Sequence, residues 1–169
     1  MRLSRVVDTW TRIAATRSRT EKTRSLAELL ADLAVEGPDA LRIGTTWLTG
    51  ELVQGKIGVG PSLVWGARDT EPAASPSLEL DVVHTRFDAL RDVAGAGAKG
   101  RREALLRDLL GRATADEQRF LGSLLVGELR QGALEGVLAD AVAKAFDLEP
   151  RAVRRAAMRS GDLAAVALA

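Results

Sequence analysis

One phrase occurs twice in this chain: Gly50-Glu51-Leu52-Val53-Gln54-Gly55 and, 77 positions later, Gly127-Glu128-Leu129-Arg130-Gln131-Gly132. Each copy follows an apolar run, Trp47-Leu48-Thr49 in the first and Leu124-Leu125-Val126 in the second. Small residues come next, and then a second apolar segment, Ser62 to Trp65 or Gly136 to Val142. An apolar helix, a glycine turn and a second helix, given twice at one interval, constrain the chain to a duplicated helical hairpin. The first half runs over about residues 1–67 and the second over about 78–169, joined by the proline-bearing stretch 68–77.

The rest of the sequence agrees with an all-α domain. At 169 residues there is enough chain for one core. Aromatic residues make up only 4% of it, and Ala, Leu, Arg and Glu dominate, a composition that favours helices over a sandwich of β-branched strands. Without cysteine, neither a disulfide framework nor a thiolate metal site is available, and an intracellular, cytoplasmic protein is expected. Arg2, Arg5, Asp8 and Arg12 interrupt the start of the chain, so it does not read as a signal peptide. No run approaches the roughly 18 apolar residues of a membrane helix.

Apolar spacing predicts about ten to twelve helices. Leu3, Val6, Val7, Trp10 and Ile13 mark a first one over 3–17, and Leu26 to Glu36 a second. Gly37-Pro38 ends the second and starts a third that carries Leu41, Ile43, Trp47, Leu48 and Leu52, and Gly60-Pro61 begins a short fourth. From Leu80 the pattern resumes through Phe87 to Val93 and stops at the glycine-rich run 94–100, after which a helix spans about 102–110. Thr114 and Glu117 form a capping box for a helix over 117–129. Further helices follow from Leu134 to Phe146 and from Pro150, with a short apolar tail after Gly161-Asp162. Trp10, Trp47 and Trp65 sit in apolar patterns and are read as core, and His84 as a structural or surface residue.

Net charge is +1, too close to neutral to name a partner, but its distribution is informative. All but four of the 24 cationic side chains are arginine, whose planar fork suits phosphate oxygens. They gather at Lys99, Arg101 and Arg102 and again at Arg151, Arg154, Arg155 and Arg159. A glycine turn before a helix leaves backbone N–H groups open to an anion, with room for its close approach. Gly58 and Gly60 beside Lys56, and Gly132 and Ala133 beside Arg130, form two such cups. Two cups on one rigid domain suit a nucleic-acid backbone better than a mononucleotide. The same glycines also read as plain C-caps between antiparallel helices, and the arginines as solvated helix faces.

The stretch Ala113 to Phe146 resembles the N-terminal DNA-binding domain of ATP-dependent DNA ligases, in register at Phe120, Leu121, Gly127, Leu129, Arg130, Gly132 and Glu135. Phe87 to Leu106 resembles that family's helix, glycine-rich loop and basic helix start. Val153 to Ala167 resembles its closing phrase, and Ile57-Gly58-Val59-Gly60 its first-half glycine loop. The last match pairs Gly58 with Gly132, an interval of 74. The resemblance implies a pseudo-two-fold helical monomer that lies across the minor groove of nicked duplex DNA without reading sequence. It places contacts at Arg130, Gly132, Ala133 and Leu134, at Gly58, Val59 and Gly60, and at Gly97 to Arg102, with Lys56, Lys99, Arg151, Arg154 and Arg155 adding charge. It further implies catalytic domains in cis that use ATP and Mg²⁺, and a place in DNA repair, replication and recombination at the nucleoid.

Ligase chemistry starts from a lysine in a Lys-x-Asp-Gly motif, and none of Lys22, Lys56, Lys99 and Lys144 has that context. Neither a P-loop nor a paired-histidine metal motif occurs. No catalytic activity, catalytic residue, cofactor or metal is therefore expected of these residues. The competing expectation is a helical protein-interaction module in which the glycine phrases are only turns.

Overall fold

The computed structural model describes residues 1–129 and 132–169, with the backbone alone at 132–135. Leu3, Val6, Val7 and Ile13 share one face at helical spacing and are all buried, which fixes α1 (Leu3–Ala15) against the core. A second helix of the same length, α5 (Leu80–Asp92), begins 77 positions later and buries Leu80, Val83, Phe87 and Leu90. The residues just before the two helices pair with each other. Arg2 and Glu79 form an isolated antiparallel bridge, the Leu3 N–H donates to the Leu78 carbonyl at 2.9 Å, and the Leu80 N–H donates to the Met1 carbonyl at 2.9 Å. A 77-residue shift exchanges these two hydrogen bonds, so a local two-fold axis passes between them.

The remaining helices follow that axis. They are α2 (Arg19–Glu36), α3 (Pro38–Leu48), α4 (Pro61–Ala67), α6 (Ala98–Gly111), α7 (Ala115–Val126) and α8 (Gly132–Ala145), with α9 (Pro150–Ser160) and α10 (Leu163–Leu168) appended. Like α1 and α5, α3 and α7 start 77 positions apart. Helix α1 meets α7 through Trp10 edge-on to Phe120 at 5.6 Å, and α5 meets α3 through Phe87 and Trp47 at 5.5 Å. Trp10 and Phe87 are equivalent by the shift, but their partners are not: the shift takes Phe120 to Ile43 and Trp47 to Leu124. Helix α2 lies against α8 as α6 lies against α4.

The helix ends answer to identifiable residues. Ser18 caps α2 by accepting from the Glu21 N–H, and Pro38, Pro61 and Pro150 open α3, α4 and α9. At Thr114 and Glu117 the capping box forms as the sequence predicts, and Glu117 is buried in it. No strand occurs among the described residues, and no described helix is long and apolar enough to cross a membrane.

Three expectations are corrected. Trp65 is 63% exposed, with the Arg68 guanidinium 4.8 Å above its ring, because the seven residues of α4 bury only Leu63 and Ala67. Helix α6 starts at Ala98, four residues early, so Lys99, Arg101 and Arg102 lie in its first turns. Leu52 lies beyond the end of α3. The repeat also loses register after the corners: Gly50 precedes α4 by eleven positions, while Gly127 precedes α8 by five. The first corner therefore carries six extra residues.

Candidate nucleic-acid interface

Both glycine phrases begin as helix endings. Gly50 (φ +79°) and Gly127 (φ +76°) take the left-handed conformation that a Cβ disfavours by about 1 kcal/mol. Their N–H groups donate to Trp47 O at 2.9 Å and Leu124 O at 3.2 Å. The N–H groups of Glu51 and Glu128 donate to Thr46 O at 3.2 Å and Ser123 O at 2.8 Å. Both pairs obey the 77-residue shift, so Gly50 and Gly127 end α3 and α7 in the same way.

The same turns open outward onto one cleft. Gly50, Gly55, Lys56, Gly58 and Gly60 line one side of a cavity of about 800 Å³, and Leu124 to Gly127 line the other. Lys56 is exposed at its rim and makes no ion pair among the described residues. Val59 is half-buried, and Gly60 is the extended residue that precedes α4. Gly58 has φ +70°, and a Cβ there would fall 2.6 Å from Arg102 Cζ. The Arg102 guanidinium thus packs on the bare backbone of the first corner.

Arg102 also holds the end of α5. Its Nε donates to Leu90 O at 3.2 Å and its Nη2 to Val93 O at 2.6 Å. Arg101 treats the following loop in the same way, donating to Ala96 O at 2.7 Å and Ala94 O at 2.6 Å. Gly97, in the left-handed conformation at φ +73°, caps α6 beside Arg101. Two fixed guanidinium charges therefore stand where the 94–97 loop meets α6, and that of Arg102 lies against the first corner. Each keeps donors that these bonds do not use. Lys99 is exposed next to them and makes no ion pair among the described residues.

Residues 66–143 match the family described as DNA ligase N terminus. The chain is 51% identical to a probable DNA ligase of Saccharopolyspora erythraea over 98% of its own length and 32% of the relative's. It is 47% identical to one from an Anaeromyxobacter species over 99% and 32%, and 49% identical to one from Mycolicibacterium vanbaalenii over 93% and 29%. Over nearly its whole length the chain is thus similar to probable DNA ligases, as expected of a ligase N-terminal domain. It spans about a third of the length of the curated relatives it matches.

In this ligase-type domain the α9 cations stand apart from the cleft. Arg154 donates to Asp140 Oδ1 through Nε at 3.1 Å and pairs with it again through Nη2, and Arg19 meets Oδ2 of the same carboxylate at 2.7 Å. Burial alone would raise the Asp140 pKa, but the hydrogen bonds and charges of Arg19 and Arg154 outweigh it and hold the carboxyl below its ordinary value. One carboxylate on α8 so clamps α2 and α9, and Arg154 has a structural duty. It lines a second cavity of about 730 Å³, which shares Glu51 and Leu52 with the cleft. Arg151 and Arg155 are exposed on α9 and line neither cavity.

Arg130 lies outside the described residues, while Gly132, Ala133 and Leu134 form the first turn of α8. No group of metal-ligating side chains occurs among the described residues. Sequence reading missed one participant of the first corner, Gln54, whose amide reaches His84 on α5. Its only signal was the recurrence of glutamine in both phrases.

Proposed function

We propose that this domain grips the sugar-phosphate backbone of nicked duplex DNA without reading sequence, and positions the break for the catalytic part of an ATP-dependent ligase. One observation carries the reading: corners from both repeats open onto a single cleft whose lining sets Gly50, Gly55, Gly58, Gly60 and Gly127 among apolar side chains and Glu51, with Lys56 on the rim and Arg102 packed against Gly58. Bare N–H groups and fixed cations bind phosphate oxygens, and such contacts position a protein on the duplex without distinguishing bases. The first-turn N–H groups of α8 at Gly132, Ala133 and Leu134, together with Arg130, make the second half of the grip. Gly58, Val59, Gly60, Gly97, Lys99 and Arg101 complete the surface, and Arg151 and Arg155 offer further exposed charge on α9, apart from the cleft. The relatives are about three times as long, which supports further ligase domains in cis, where ATP and Mg²⁺ would be used. In this reading the domain acts as a monomer on nucleoid DNA in the cytoplasm, in repair, replication and recombination.

Fluorescence anisotropy with a nicked duplex at low salt tests the proposal. Binding should be indifferent to sequence and fall steeply with added salt. Lys56→Gln should weaken every duplex alike and reduce the log–log salt slope by about 0.9, the equivalent of one phosphate contact. No binding at low salt, or binding unmoved by salt, would overturn it.

A further inference from the structure

The first corner belongs to the first repeat, yet the second repeat holds it in place. The Gln54 amide nitrogen lies 2.9 Å from His84 Nδ1 and 3.1 Å from the His84 carbonyl oxygen. A carbonyl can only accept, so the group facing it is the NH₂, and the second hydrogen of that group points to Nδ1. Nδ1 is therefore an acceptor, and the ring proton sits on Nε2, which faces Asp88 Oδ2 at 3.7 Å. The His84 side chain is only 18% exposed, so water competes weakly for this bond. A few residues on, Arg102 packs against Gly58 as its guanidinium is pinned to the end of α5. The 77-residue shift carries His84 onto Val7, a buried side chain without polar atoms, so α5 offers this acceptor and α1 does not.

We infer that Gln54 and His84 are positioning residues: their hydrogen bond fixes the first glycine corner in the shape that its ligand meets. Resting on the DNA-binding reading for the identity of that ligand, the inference adds which side chains set affinity from behind the contact surface. A corner holding Gly55 and Gly58 in left-handed conformations has many competing shapes open to it. Ordering it in advance removes an entropic cost from binding.

The test uses His84→Leu, which keeps bulk and removes the acceptor, and His84→Asn, which restores an acceptor. Gln54→Ala probes the same bond from the corner, in case the α5 variants disturb folding. Hydrogen exchange at amides 51–59 should speed about three- to tenfold in His84→Leu, as expected for one lost hydrogen bond, and at least as much in Gln54→Ala, which loses the bond to the His84 carbonyl as well, with α1 and α2 unchanged. The dissociation constant for nicked duplex should rise by a similar factor, and His84→Asn should restore both. Unchanged exchange, a loosened corner with unaltered affinity, or no rescue by asparagine would each overturn the inference. Failure of the unaltered protein to bind DNA would instead overturn the DNA reading, and the exchange comparison would still decide the tie between Gln54 and His84.

Discussion

Gly58→Ala places a methyl group where two costs meet, and the structure separates them. The first is conformational: φ +70° costs a residue with a Cβ about 1–2 kcal/mol. Reduced freedom of the unfolded chain offsets about 0.4–1 kcal/mol of this. The second is steric, because the new carbon would lie 2.6 Å from Arg102 Cζ, 2.7 Å from Nε and 2.8 Å from Nη2. The guanidinium must move, and both of its bonds, to Leu90 O at 3.2 Å and Val93 O at 2.6 Å, weaken together. A charge-assisted bond is worth about 1.5–3 kcal/mol, so partial loss of two costs about 2 kcal/mol. The sum is about 3 kcal/mol in urea unfolding. In an Arg102→Ala background only the conformational part remains, so the cycle should show a coupling of about 2 kcal/mol. Strictly additive costs would refute the idea that Arg102 ties the first corner to the second repeat.

Two further perturbations follow from the same geometry. Asp140 has its folded pKa held below the unfolded value of about 3.9, so its contribution is present above that value and is lost as pH falls through the folded one. Asp140→Asn should lower stability by about 1–3 kcal/mol near neutrality and flatten the acid limb of a pH series of urea unfolding curves. Trp47 is fully buried against Phe87, whereas the contact of α1 with α7 uses a partly exposed Trp10. Trp47→Ala should therefore cost about 3–5 kcal/mol and Trp10→Ala clearly less, with equal losses in chemical denaturation counting against the burial argument.

Local rules made much of the fold legible. The capping box at Thr114, the prolines at 38, 61 and 150, and the glycines at 50 and 127 each terminate or start a helix through its own backbone chemistry. Periodicity located the buried faces of α1 and α5, because thirteen residues sample the helical period several times. It failed for Trp65, since seven residues in α4 give too little period to assign a face. The start of α6 was hidden in an Ala-Gly run that reads as loop until Arg101 and Arg102 are seen to fold back on carbonyls five to twelve residues earlier. The cluster pattern marked both arginines as basic but could not show where their donors go. Likewise, the tie between Gln54 and His84 spans 30 residues and leaves no local trace. The DNA reading came from the resemblance, and the shared cleft gives it a physical setting.

A domain that obeyed its internal symmetry throughout would accept any equally symmetric ligand in two orientations of identical energy. The six additional residues between Gly50 and α4 remove that degeneracy. Because they fall in the cleft wall and not in the framework of α1, α3, α5 and α7, the duplicated scaffold keeps its packing while the cleft acquires a direction.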